Sequence, residues 1–119
     1  MRVEAYFEVV EQGSPDRFVI KLVEPDKIDL ARRIASGREK RRVHVMGTIV
    51  RRKAPYNPAW NYHLEPETIT FFDMAMEVCD AAIRYVDDHL EEVGGPLLPN
   101  GHWCPWGSRL AREVMPLAR

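Results

Sequence analysis

The chain has 119 residues, a hydrophobic fraction of 45%, a charged fraction of 29% and a net charge of −1. That is the length of one domain, residues 1–119, able to bury roughly two thirds of its unfolded surface without help from a metal or a disulfide. No apolar run approaches the roughly 18 residues of a membrane span, and Met1-Arg2-Val3-Glu4 leads straight into a strand-like pattern, so neither a transmembrane segment nor a signal peptide is expected.

In chain order, Ala5 to Val10 and Phe18 to Val23 are rich in β-branched and aromatic residues, and Gly13-Ser14-Pro15-Asp16 between them is turn chemistry. They predict an antiparallel hairpin. Pro25 to Ala35 predicts a short helix: proline opens it, acids occupy its first turn, arginines come late and Gly37 lies just beyond. Its apolar face is Ile28, Ala31, Ile34 and Ala35. From Val43 to Val50 the period changes to two, with Val43, Val45, Gly47 and Ile49 on one face and His44, Met46, Thr48 and Val50 on the other, which predicts a central strand.

The loop from Arg52 to Ala59 delivers a short strand, Trp60 to Leu64, with Trp60, Tyr62 and Leu64 on one face and Asn61 and His63 on the other. After the turn Glu65-Pro66-Glu67-Thr68, Ile69 to Cys79 alternates and predicts a longer strand, with Phe72, Met74, Met76 and Val78 on one side. Asp80 is placed to cap a helix from Ala81 to Glu92, whose Ala82, Tyr85, Val86, His89 and Leu90 face the core, and Gly94-Gly95-Pro96 ends it. Leu97 to Gly107 is expected as an ordered loop, and Ser108 as the cap of a last helix from Arg109 to about Met115. The fold class is therefore α+β: a mainly antiparallel sheet of about five strands, two principal helices and a short C-terminal helix.

Charge is distributed unevenly. Between Arg38 and Lys53 seven basic residues face one acid, a local +6; from Asp73 to Glu92 seven acids face one arginine, a local −6. We expect these segments to pair within the molecule or across a homodimer. No aromatic lies in the basic stripe, so a nucleic-acid surface is not expected, nor is a membrane partner. The helix running into residues 38–42 also has the basic amphipathic character of a calmodulin-type target. Two cysteines, Cys79 and Cys104, allow one intramolecular pairing, worth on the order of 3 kcal/mol in the chain-entropy model. A bridge favours an extracytoplasmic compartment, and two buried free thiols in the cytosol are the alternative.

No glycine-rich phosphate loop, HExxH, CxxC or serine elbow is present. What remains is His44, His63, His89 and His102, with Glu65, Glu67, Asp73 and Glu77 on nearby turns and strands. If the strands bearing His44 and His63 pair, His44, His63 and Glu77 form a candidate ligand set for Zn or Cu. Without metal, His63, Glu65 and Asp73 are the candidates for a histidine base oriented by a carboxylate. Structural histidines are the simpler reading. Tyr56, Trp60, Tyr62, Trp103 and Trp106 lie on or beside proline-bearing loops and are the candidate ligand-binding residues, suited to stacking on a carbohydrate or anchoring a protein partner. Singly, each ring is equally suited to capping the core; exposure of Trp60 or Trp106 decides between the two.

Phe18-Val19-Ile20-Lys21-Leu22 with Pro25-Asp26-Lys27-Ile28, His44 to Val50, Tyr56-Asn57-Pro58, Trp60 to Pro66, Glu77-Val78-Cys79-Asp80 and Trp103-Cys104-Pro105-Trp106 follow one another over nearly the whole chain. In that order they resemble the N-terminal-domain family of calmodulin-binding-protein-like proteins, small bacterial and eukaryotic proteins. Many bacterial relatives look secreted, so the resemblance implies a bridged cysteine pair; the basic run Arg38 to Arg42 and the absence of a leader depart from it. The expected function is a non-enzymatic binding module, with a small Zn- or Cu-dependent enzyme as the alternative.

Overall fold

The structure is a computed structural model that describes residues 3–74 and 78–115. In chain order it contains β1 (Ala5–Glu11), β2 (Arg17–Leu22), α1 (Pro25–Ala35), β3 (His44–Val50), β4 (His63–Leu64), a 3-10 turn (Pro66–Thr68), β5 (Thr70–Phe72) and α2 (Ile83–Asp88). A second 3-10 turn (Leu90–Glu92), β6 (Val93–Gly94), β7 (Leu97–Pro99), β8 (His102–Trp103) and β9 (Ser108–Val114) complete it. This is the expected α+β class. Among the described residues no helix is long and apolar enough to cross a membrane.

Strands β1 and β2 form the predicted hairpin, Phe7 opposite Ile20 and Val9 opposite Phe18. Alternation buries Ala5, Phe7, Val9, Phe18, Ile20 and Leu22 on one face. The other face is polar: Glu8 accepts a hydrogen bond from Arg112 Nε at 3.0 Å. Helix α1 ends where its signals place the end, with the Gly37 N–H donated to Ile34 O at 3.1 Å and glycine taking φ +85°, a conformation a side chain would strain. Its Ile28, Ala31 and Ile34 are buried.

The expected single sheet is two. One has the order β2-β1-β9; in the other β3 is central and pairs antiparallel with β5, β8 and β4 in turn along its length. A separate two-stranded piece joins β6 to β7. One core joins the sheets, filled by Phe7, Phe18 and Ile20 from the first, Leu64, Phe71 and Trp103 from the second, and Ile83 and Val86 of α2.

Four local expectations are corrected. The C-terminal segment is a strand, not a helix: β9 takes the edge of β1 that β2 leaves open and buries Leu110 there. Ser108 is therefore no helix cap; its hydroxyl donates to Pro105 O at 2.6 Å and accepts the Val45 N–H at 3.1 Å, tying β9 to β3. The strand predicted over Ile69 to Cys79 is three residues long among the described residues, because Phe72 pairs with His44 at the first residue of β3 and no ladder continues past it. Met74 and Val78, expected on the same side as Phe72, are 79% and 96% exposed where Phe72 is buried, while Ala75, Met76 and Glu77 lie outside the described residues. Helix α2 starts at Ile83 and buries Ile83 and Val86, leaving Ala82 and Tyr85 exposed; Asp80 does not cap it. The Ile83 N–H is instead accepted by the Glu11 carboxylate at 3.1 Å, from a strand 72 residues away. Of Trp60 to Leu64 only His63 and Leu64 pair as strand, yet Trp60, Tyr62 and Leu64 share the buried face as alternation requires.

Candidate functional site

The segment Trp103-Cys104-Pro105-Trp106 is locked from beneath. Trp103 is buried, edge-on to Phe18 and Tyr62 with centroids 5.4 and 5.5 Å away, and its indole N–H donates to Ala81 O at 2.9 Å. The Cys104 N–H donates to Cys79 O at 2.8 Å, and the two cysteines lie at disulfide distance with Cα atoms 5.2 Å apart. Pro105 is buried as well. With three residues fixed inward, Trp106 turns outward: it is 47% exposed, and its backbone N–H is held by the Asp80 carboxylate at 2.9 Å.

Trp106 lines a cleft of about 240 Å³ together with His44, Phe72, Asp73 and Met74. Asp73 also borders a hollow of about 450 Å³ whose other lining residues, Glu39, Arg41 and Arg42, are all charged, and pairs with Arg41 at 3.5 Å. The apolar cleft and the basic loop 38–42 therefore adjoin through one side chain. In that loop Arg38, Lys40, Arg41 and Arg42 are exposed, whereas Glu39 is turned inward and accepts the N–H groups of Arg42 and Arg41 at 3.0 and 3.1 Å. Those two backbone bonds hold its carboxyl below the usual range, and its other oxygen pairs with the Arg42 guanidinium at 3.4 Å, so Glu39 organises the loop and partly compensates one of its arginines.

The other aromatic candidates are elsewhere. Trp60 is buried with its indole N–H on Arg17 O at 2.5 Å and the Arg84 guanidinium 5.2 Å over its ring. Tyr62 is fully buried, donates to Ile83 O at 2.9 Å, and its phenol is pushed far up by burial. Tyr56 is half-buried between Tyr6 and His63, and burial pushes its phenol up to about 12. Trp60, Tyr62 and Trp103 are thus buried in the core, Tyr56 is half-buried, and Trp106 is the exposed ring of the five.

The histidines do not converge as the metal reading requires. Strands β3 and β4 do pair, but His63 lies opposite Val50 and His44 opposite Phe72, six residues apart on β3, or roughly 20 Å along a strand. Each imidazole is engaged locally, with Nδ1 of His44 2.6 Å from Ser108 O and Nδ1 of His63 2.8 Å from Arg52 O. Glu77 lies outside the described residues. Among the catalytic candidates, Asp73 is on the His44 side of the sheet, while Glu65 shares the His63 end, where a hydrogen bond with Glu67 raises its carboxyl pKa. His89 stacks on Tyr85 with centroids 4.0 Å apart. His102 belongs to neither ligand set expected from the sequence. It sits two residues before Cys104, which lies just past the end of β8, and a ring nitrogen of it lies within 4.8 Å of the Cys79 and Cys104 sulfurs.

Residues 3–117 match a family model described as the BP-74 N-terminal domain. No curated protein and no solved structure matches.

Proposed function

The chain belongs to the BP-74 N-terminal domain family, and from that premise we propose that it is a non-enzymatic binding module whose ligand-facing surface is centred on Trp106. The observation that carries this reading is the half-exposed Trp106 at the lip of an apolar cleft that adjoins the exposed basic loop 38–42. A rigidly mounted tryptophan beside an apolar slot is the kind of anchor that dominates interface energies, and a neighbouring cluster of arginines selects and steers an acidic partner. The ligand chemistry is an acidic protein segment with one aromatic or large aliphatic side chain that enters the cleft while its carboxylates meet Arg41 and Arg42.

A calmodulin-type partner is a narrower form of this reading. Such targets present an apolar helical face, and here Ile28, Ala31 and Ile34 are in the core. Residues 38–42 would therefore act through charge alone, with Trp106 as the apolar anchor. A displayed random-peptide library selected on the protein and counter-selected on Trp106→Ala tests the proposal, with an immobilised glycan panel alongside. Enrichment of acidic peptides with a single bulky apolar residue is expected. Enrichment that survives counter-selection, or binding confined to glycans, would contradict it.

A further inference from the structure

We propose that Cys79, Cys104 and His102 form a Zn²⁺ site that opens when the disulfide is reduced. The two Sγ atoms and an imidazole nitrogen of His102 all lie within 4.8 Å of one another. In tetrahedral Zn²⁺ coordination, with bonds of about 2.0–2.3 Å, neighbouring donors sit roughly 3.5–3.8 Å apart, so small side-chain rotations bring this trio onto one ion. Two thiolates and an imidazole are a borderline-soft donor set that favours Zn²⁺ over Mg²⁺ or Ca²⁺. The His102 ring makes no hydrogen bond or ion pair among the described residues, unlike His44, His63 and His89, each of which has a backbone carbonyl at Nδ1. It is also half-buried, leaving a side open for water as the fourth ligand.

The scaffold does not depend on the sulfur bond alone to hold these donors together. The Cys104 N–H to Cys79 O bond, the Trp103 indole bond to Ala81 O and the Trp106 N–H bond to Asp80 clamp 79–81 against 103–106. The pairing of β8 with β3, Thr48 opposite His102, fixes the third donor. The two sulfurs therefore remain neighbours after reduction. With a tertiary phosphine as reductant, phosphorus attacks one sulfur and the S–S bond breaks; water then releases the second thiol and leaves the phosphine oxide. Zn²⁺ next displaces one proton from each thiol to solvent and takes the lone pair of a neutral imidazole nitrogen, with no change in oxidation state.

The test uses Co²⁺ as a spectroscopic stand-in, added anaerobically to phosphine-reduced and to oxidised protein, with far-ultraviolet circular dichroism recorded throughout. The expected result is stoichiometric thiolate-to-cobalt charge-transfer absorption in the reduced protein only, abolished by Zn²⁺. His102→Ala, which leaves both cysteines in place, should weaken Co²⁺ binding roughly tenfold or more. If reduction unfolds the chain, recovery of the folded spectrum on adding Zn²⁺ and its reversal by a chelator support the site. A folded, reduced protein without the absorption, an unfolded one that Zn²⁺ does not restore, or His102→Ala binding Co²⁺ as tightly as the parent overturns it.

Discussion

Asn57, one of two buried polar residues among those described, holds two backbone groups from different parts of the chain. Its Oδ1 accepts the Val19 N–H at 2.9 Å on the free edge of β2, and its Nδ2 donates to Tyr62 O at 3.1 Å. Asn57→Ala strands both groups away from water and should cost roughly 2–4 kcal/mol in urea denaturation, since each unsatisfied buried partner costs about 1–3 kcal/mol. A loss within experimental error would mean that water reaches them. Glu11 carries a different prediction. Partial burial raises its carboxyl pKa even though the carboxylate accepts the Ile83 N–H. A raised folded-state pKa means that the folded protein gains stability as pH falls through that value and stops gaining below the unfolded pKa. Glu11→Gln keeps an acceptor without the charge, so it should melt higher than the parent near neutral pH, with the gap closing as the medium is acidified through the carboxylate range. A gap independent of pH would remove Glu11 as its cause.

At the scale of elements, what was legible follows from the range of the interactions that decide each one. Helix α1 has its proline, acidic first turn, basic last turn and terminal glycine within 13 residues, so local sequence places it. Strand β9 has no such signals. Arg109 to Val114 becomes a strand because β1, about a hundred residues earlier, offers an unpaired edge, and that edge outweighs local helix propensity. The same holds for α2, whose first N–H is capped by Glu11 from β1 instead of by the adjacent Asp80. Alternation correctly put Trp60, Tyr62 and Leu64 on one face but carried no information on whether that face met solvent. Ser108 is where the two sheets are joined, its hydroxyl between Pro105 O and Val45 N–H. Ser108→Ala leaves the Val45 N–H unpartnered in a buried setting, while Pro105 O keeps the backbone N–H of residue 108 at 3.1 Å, and should destabilise the fold by about 1–3 kcal/mol, read as a lower urea midpoint at unchanged slope. A changed slope would instead indicate that the sheets have begun to unfold separately.

At the scale of the molecule, the described residues of the two charged segments are largely not each other's partners. Among the described residues one ion pair, Arg41 with Asp73, joins the basic stretch 38–53 to the acidic stretch 73–92. It is exposed on both sides, and such pairs contribute little. The asymmetry visible in the sequence therefore survives folding as a basic loop beside an apolar cleft, and that juxtaposition could not be read from the chain: it requires β5 to place Asp73 between His44 and Arg41 while the cysteine clamp turns Trp106 outward. Binding through Trp106 depends on it. The most direct test is the dissociation constant of a selected acidic peptide for the parent, for Trp106→Ala and for Arg41→Ala/Arg42→Ala, measured at low and at physiological salt. A loss of about thirtyfold is expected in Trp106→Ala at either salt, as for an anchor worth about 2 kcal/mol, with a salt dependence that flattens in the arginine variant. Equal affinity for the parent and Trp106→Ala, with all three proteins folded, would contradict a binding surface centred on that ring.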